Sequence, residues 1–137
     1  METKLVLLQH IKKDWSESPQ AKICEEILEY LISYKNPEKL HLTYGIIKKI
    51  LSNGYSDIHI LQALQYLSGD RVPLLKSKFE MIDDCGDEYL LDDEDVAVAQ
   101  KTGVLFHPEK EEVVEDFENK VFIYFIASDW VRANTVS

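Results

Sequence analysis

Glycine and cysteine are both scarce in this chain, and their scarcity excludes several kinds of site. Of the 137 residues, five are glycine and two are cysteine. No glycine-rich loop is present, so the sequence does not predict a backbone cradle for a phosphate group. Cys24 and Cys85 are too few for a disulfide framework and too isolated for a metal site, which leaves free thiols as the expectation.

Long apolar runs are missing as well. No run approaches the roughly 18 residues that indicate a membrane-spanning helix. The N-terminus carries an acidic residue at position 2 and no small-residue cleavage site, so we expect a cytoplasmic protein without a signal peptide. The length and the hydrophobic content of 45% predict one globular domain over residues 1–137.

The residue patterns of common catalytic and metal sites are not found. The four histidines are scattered and do not form a metalloprotease spacing. Cys85 lies beside Gly86 in a turn, but its acidic neighbours disfavour the thiolate that a nucleophile needs. A calcium loop that starts at Asp83 fails, because its third position is Cys85 and its glycine comes too early. The sequence thus predicts no enzyme, no metal and no cofactor.

Charge is distributed unevenly along the chain, whose formal net charge is −10 at pH 7. Residues 80–118 contain 15 Asp and Glu residues against two Lys residues, a net charge of −13, whereas residues 1–79 have a net charge of +2. Such an acidic stretch is typical of a surface that attracts a basic partner. The alternative is that the acids only keep the domain soluble.

Two amphipathic helices are predicted in the first forty residues. The first covers Lys4–Trp15, and its apolar side chains recur at spacings of three and four. They are Leu5, Leu8, Ile11 and Trp15. A strand from Leu5 to Leu8 is the less favoured alternative. The second runs from Pro19 to about Tyr34, with Ser18 as its N-cap and proline at its first position. Its predicted core face comprises Cys24, Ile27, Leu28, Leu31 and Ile32.

Two shorter helices are predicted to meet at a tight corner. Thr43 can cap the first, and Ser52-Asn53-Gly54 should end it because Asn and Gly tolerate the left-handed conformation. Ser56 can then cap a helix over residues 57–68. The buried stripe of that helix is predicted to comprise Ile60, Leu61, Leu64 and Leu67. An ordinary helical hairpin would give the same pattern and stays the alternative.

After Pro73 the apolar period changes from helical to alternating, which predicts a strand from Leu74 onward. Residues 84–87 have turn chemistry, in which Gly86 can supply a positive φ. A second short strand would then end at Leu91. The segment is therefore predicted to be a β-hairpin.

Two further helices are predicted beyond the hairpin. The first follows the acidic residues Asp92–Asp95 and ends before Gly103, which can close it in the left-handed conformation. The second covers residues 111–127, where apolar side chains keep a helical spacing. A strand over residues 121–126 is the alternative, because that run is continuously apolar and has high β-propensity.

The order of elements between Leu42 and Leu91 resembles the winged-helix branch of the helix-turn-helix folds. The predicted fold class is therefore α+β and mainly α. It consists of a winged-helix-like three-helix core with a β-hairpin over about residues 18–91 and additional C-terminal helices over about residues 92–130.

This resemblance implies two functions. One is a DNA-binding transcriptional regulator that places the helix over residues 57–68 in the major groove. The cations available to it are Lys48, Lys49, Arg71, Lys76 and Lys78. The outward side of that helix carries no Lys or Arg, so little counterion release would supply affinity. We therefore favour the other function, a non-catalytic protein-interaction or regulatory module.

The predicted partner is another protein with a basic surface. The residues expected to contact it are Asp83, Asp84, Asp87, Glu88, His59, Gln62 and Tyr66. A second copy of the chain, docked through the aromatic face of residues 111–127, is the alternative partner. Nucleic acid is the less favoured partner, and no membrane partner is expected.

Overall fold

The computed structural model describes residues 3–52 and 54–134, which form a mainly helical α+β fold with one three-stranded sheet. The helices are α1 (Lys4–Trp15), α2 (Pro19–Ser33), α3 (Tyr44–Ile50), α4 (Asp57–Leu67), α5 (Asp93–Thr102) and α6 (Asp129–Asn134). The strands are β1 (Leu75–Ile82), β2 (Glu88–Leu91) and β3 (Val121–Ala127), and short 3-10 turns lie at Pro37–Lys39 and Phe117–Asn119. The predicted fold class is confirmed, whereas the winged-helix resemblance stays a prediction.

Local chemistry sets the helix ends. In three predicted N-caps, the hydroxyl accepts a hydrogen bond from the backbone N–H three residues later, at 3.3 or 3.4 Å. These caps are Ser18, Thr43 and Ser56. At the far end of α5, Gly103 adopts the predicted left-handed conformation, with φ of 78°. Helix α3 ends at Ile50, before the predicted corner, and Asn53 of that corner lies outside the described residues.

The predicted hairpin is confirmed. Strands β1 and β2 pair antiparallel, in a register that runs from Phe79 opposite Leu91 to Ile82 opposite Glu88. Gly86 supplies the predicted positive φ in the turn between them, at 86°.

The helix predicted over residues 111–127 is wrong. Residues 121–127 form β3, and the sheet order is β2–β1–β3. Just before β3, the backbone N–H of Ile82 donates to the carbonyl of Lys120 at 2.9 Å. The strand prevails because β1 offers a free edge that satisfies its backbone, and because Val, Phe, Ile and Tyr pack well on a pleated surface. Tyr124 and Phe125 are both buried although they are neighbours, since consecutive strand residues point to opposite faces.

The chain divides into two compact units. We call residues 1–76 with 125–137 the helical unit, and residues 77–124 the hairpin unit. The prediction of one domain over residues 1–137 is not decided by this division and stays a prediction.

Helix α2 supplies the largest share of the helical unit's core and packs against α1, α4 and α6. Its buried side chains are Ala21, Ile23, Cys24, Ile27, Leu28, Leu31 and Ile32. Burial raises the pKa of the Cys24 thiol to about 12, so this thiol stays protonated and serves as a core residue.

One predicted core position, Leu61, is wrong, and Leu5 of the apolar spacing predicted for α1 is exposed as well. Leu5 of α1 is 65% exposed and Leu61 of α4 is 55% exposed. In α1 the buried residues are Leu7 and Ile11, and in α4 Ala63 is buried where Leu61 is not. Both segments are amphipathic helices, as their apolar spacing predicts. The buried face of each helix, however, is centred one or two residues away from the exposed leucine.

The hairpin unit has a much smaller core. Its fully packed residues come from the hairpin, α5 and the segment that follows α5. They are Met81, Leu91, Val96, Ala99 and Leu105. A 48-residue unit with so few buried side chains leaves part of its apolar surface open, and this surface is described below.

Candidate functional site

Three of the five cations predicted for DNA contact are paired with carboxylates. The pairs are Lys48 with Asp57 at 3.1 Å, Arg71 with Asp14 at 2.9 Å and Lys76 with Asp129 at 3.6 Å. Lys49 is exposed on α3, and Lys78 belongs to the hairpin unit whereas the other four belong to the helical unit. A phosphate group would have to compete with these carboxylates, which reduces the gain from counterion release.

Two of the predicted partner contacts on α4 are engaged within the helical unit. Gln62 accepts a hydrogen bond from the side chain of Gln20 at 2.8 Å. The Tyr66 hydroxyl donates to Asp14, and its ring meets Trp15 edge-on with the ring centroids 5.5 Å apart. Burial, followed by the neighbouring Asp14 carboxylate, raises the pKa of Tyr66. These side chains thus join α4 to α1 and α2.

The solvent side of α4 carries no Asp, Glu, Lys or Arg after Asp57. Ile58 and Leu61 are exposed and lie three residues apart, so they share one side of the helix with the exposed Gln65. His59 is half-buried. A face of this composition provides no cation for a DNA backbone.

Asp83 organises the turn of the hairpin from within. Its Oδ1 accepts hydrogen bonds from the backbone N–H groups of Cys85, at 3.0 Å, and Asp87, at 2.9 Å. Burial raises the pKa of Asp83, but these donors, together with the charge of nearby Lys110, outweigh it and lower the pKa below its ordinary value. Asp83 therefore stabilises the turn, and its predicted role as a partner contact stays a prediction.

The other three predicted acids of the hairpin lie at the surface. Asp84 pairs with Lys120 at 3.3 Å, and the side chains of Asp87 and Glu88 are exposed. Of the predicted contact residues, the four acids lie in the hairpin unit and the three α4 residues in the helical unit.

His107 forms a buried polar cluster with Asp83 and Tyr89, next to the hairpin turn. His107 is 7% exposed, and its Nδ1 accepts hydrogen bonds from the backbone N–H groups of Glu109 and Lys110, each at 3.1 Å. The proton of the neutral ring is thereby placed on Nε2, which lies 3.9 Å from Oδ2 of Asp83. The ring of Tyr89 meets the imidazole edge-on at 4.4 Å between centroids. The cluster joins the 107–110 turn to the hairpin.

This cluster does not activate the nearby cysteine. Cys85 is exposed and shares with His107 the lining of a cavity of about 290 Å³. A thiol nucleophile needs an accessible base. Nδ1 of His107 is occupied by two backbone donors, and Nε2 is sealed from solvent.

The charge of the chain is segregated into the hairpin unit. Residues 77–124 contain 15 Asp and Glu residues and four Lys residues, a net charge of −11, and the remaining residues have a net charge of +1. Seven large apolar side chains of the same unit are also exposed. They are Leu90, Val98, Val104, Phe106, Val113, Phe122 and Ile123. The hairpin unit thus combines a large excess of acidic charge with exposed apolar side chains.

An apolar cleft of about 480 Å³ opens on one face of the sheet in the hairpin unit. Its apolar lining comes from all three strands, from α5 and from the connections around them. These residues are Phe79, Leu91, Val96, Ala99, Leu105, Phe117, Val121 and Ile123. Gln100 and Glu118 are the polar residues of its lining. The volume lies within the range of about 300–1,000 Å³ that is usual for ligand sites.

The sequence did not predict this cleft, because Val121 and Ile123 were assigned to a helix. The signal that was present is the continuous apolar run at residues 121–126, which favours a strand. As a strand, the run places Ile123 in the cleft lining, whereas the adjacent Phe122 is not part of the lining.

Comparisons with known proteins add no relative from which a role could be transferred. No family model, curated protein or solved structure matches the chain. Among residues 3–52 and 54–134, no three His, Cys, Asp or Glu side chains are grouped as metal ligands. Within those same residues, no helix has both the length and the hydropathy needed to cross a bilayer.

Proposed function

We propose that this chain is a non-catalytic protein-interaction module whose hairpin unit binds a basic surface of a partner protein. The observation that carries the proposal is the segregation of charge, with a net charge of −11 on residues 77–124 against +1 on all other residues. An excess of one sign on one compact unit attracts a partner of opposite charge over a distance of about one Debye length, roughly 8 Å at physiological salt.

The composition of the hairpin unit supports a protein partner rather than a small cation. Its exposed apolar side chains, such as Leu90 and Phe106, lie in the same unit as the exposed acids Asp87 and Glu88. Protein interfaces combine an apolar centre with a polar rim, and the acids would give orientation and a fast association rate. The resemblance to winged helices agrees with this proposal, since that architecture also serves as a protein-interaction domain.

Duplex DNA is the weaker candidate. Lys48, Arg71 and Lys76 each pair with a carboxylate, and the exposed side chains of α4 after Asp57 are uncharged. Neither feature suits the phosphate contacts that dominate DNA affinity.

The proposal is tested by the affinity of the full chain for an amphipathic helical peptide of Lys and Leu, with a Glu and Leu peptide of the same pattern as the control. The Lys peptide should bind and the Glu peptide should not. Binding should weaken at least about tenfold as salt rises from 0.1 M to 1 M and the Debye length falls from about 10 Å to about 3 Å.

A matched pair of double variants assigns the effect to the hairpin unit. Asp87→Asn with Glu88→Gln removes two exposed acids from the hairpin unit, and Glu17→Gln with Asp70→Asn removes two exposed acids from the helical unit. The first pair should weaken binding severalfold and the second should leave it unchanged. Equal effects of the two pairs, or equal binding of the Lys and Glu peptides, would contradict the proposal.

A further inference from the structure

The apolar cleft is a place where the small core of the hairpin unit opens to solvent. Four of its lining residues, Leu91, Val96, Ala99 and Leu105, belong to that core, and Phe79, Phe117 and Val121 pack around it. An apolar side chain that entered the cleft would therefore meet packed core residues. The contacts would resemble those of a protein interior rather than those of a flat surface.

We infer that this cleft receives a bulky apolar side chain from a basic amphipathic segment of the partner, in which Lys or Arg residues flank that side chain. The inference rests on the proposed function and names the chemistry of the partner at one position. Large apolar anchors that fill a desolvated pocket supply most of the affinity in protein interfaces, while charged residues at the rim supply orientation.

The charges around the cleft determine which apolar segment fits. Glu118 is part of the lining, and its side chain is exposed. Asp93 precedes the lining residues Val96 and Gln100 by three and seven positions, so it lies on the same side of α5, one turn nearer the helix start. These carboxylates suit ammonium or guanidinium groups on either side of an apolar anchor.

The same charges disfavour two other occupants. A second copy of the chain that docked through its own hairpin unit would bring a net charge of −11 against a unit of the same charge. A fatty acid or an anionic lipid would bring its carboxylate or phosphate toward Glu118. Both arrangements place like charges together and cost free energy.

Strand β3 provides a matched pair of positions for the test. Ile123 and Phe122 are 45% and 47% exposed, but only Ile123 lines the cleft. Because both are half-exposed on the same strand, Ile123→Asp and Phe122→Asp add the same charge at nearly the same place. They differ in whether that charge enters the cleft.

Two measurements on the full chain use the Lys and Leu peptide as the probe. First, the affinity of each variant is compared with that of the wild type, and Ile123→Asp should weaken binding at least about tenfold while Phe122→Asp changes it less than about threefold. Second, the wild type is titrated with a peptide of equal charge in which Ser replaces every Leu. This peptide should bind at least about tenfold more weakly. The peptide comparison uses unaltered protein and does not depend on the folding of a variant.

The outcomes separate this inference from the function on which it rests. If the Lys and Ser peptide binds as well as the Lys and Leu peptide, and the two variants behave alike, the cleft is not the anchor site although the acidic unit still binds basic partners. If no Lys peptide binds, the inference and the proposed function both fail. A wild-type dimer in sedimentation that Ile123→Asp converts to monomer would overturn the inference in favour of a second copy as the occupant.

Discussion

Arg71 holds Asp14 with two hydrogen bonds, from Nε at 2.9 Å and from a terminal guanidinium nitrogen at 3.3 Å, and so joins the segment after α4 to α1. Tyr66 donates to the same carboxylate. The Arg71 bond, followed by the Tyr66 bond, lowers the pKa of Asp14 below its ordinary value of 3.8. Arg71, one of the five cations predicted to contact DNA, therefore stabilises the helical unit itself.

Removal of the Asp14 charge should destabilise the protein in a pH-dependent way. The folded pKa of Asp14 is depressed, so its contribution to stability is present above the unfolded pKa of 3.8 and is lost as pH falls through the folded value. Asp14→Asn should lower the melting temperature at pH 7, and the difference from wild type should shrink as the pH falls below about 4. Glu17→Gln is the control at an exposed position. A difference that stays constant from pH 7 to acid would contradict this role of Asp14.

Direct DNA binding should be weak and should lack sequence preference. The paired cations and the apolar side of α4 leave few groups for phosphate or base contacts. The measurement is a titration of the full chain with duplexes of varied sequence at physiological salt. A dissociation constant below about 10⁻⁸ M for one defined sequence lies in the range of specific regulators and would reverse the ranking of the two functions.

Alanine substitutions at a buried and at an exposed leucine of the helical unit should differ in their effect on stability. Leu31 of α2 is fully buried, whereas Leu61 of α4 is more than half exposed. Leu31→Ala should lower the free energy of unfolding by about 2–5 kcal/mol, because it removes packed atoms and leaves a cavity. Leu61→Ala should change it by no more than about 0.5 kcal/mol. Chemical denaturation of both variants measures the two values, and equal losses would refute the assigned faces of α4.

Gly103→Ala and Gly45→Ala should change the stability of the protein in opposite directions. Gly103 has φ of 78°, which an alanine adopts at a cost of about 1–2 kcal/mol. Gly45 lies within α3, and a Cβ added there would come no nearer than 4.0 Å to the Thr43 hydroxyl oxygen. Gly45→Ala should therefore stabilise the protein by about 0.4–1 kcal/mol, since it restricts the unfolded chain. Denaturant midpoints check both signs, and destabilisation by Gly45→Ala would show that α3 is not a regular helix there.

The features that the sequence predicted correctly are those set by near neighbours. Thr43 and Ser56 cap helices because a hydroxyl reaches an N–H three residues away, and Gly103 ends α5 because glycine adopts the left-handed conformation without steric cost. The hairpin also depends on a local turn around Gly86. Each of these can be read within a few residues of the chain.

The features that the sequence did not predict depend on residues that are far apart along the chain. Whether residues 121–126 form a helix or a strand is decided by pairing with β1, about forty residues earlier, and the apolar run alone allows either. Ile123 joins the cleft only because that pairing exists. The ion pairs Lys48–Asp57 and Arg71–Asp14 weaken the DNA interpretation. Each joins residues of two different segments, so the pairing is not visible in the local sequence.

If the hairpin unit is the surface that binds a basic partner, backbone amide shifts in NMR should place the bound peptide on that unit. The isotope-labelled full chain is titrated with the Lys and Leu peptide, and the perturbed amides are assigned. We expect the perturbed amides to fall within residues 77–124, with the largest changes around Val96, Glu118 and Ile123 at the cleft. Perturbations confined to the outer side of α4, or none at saturating peptide, would contradict this expectation.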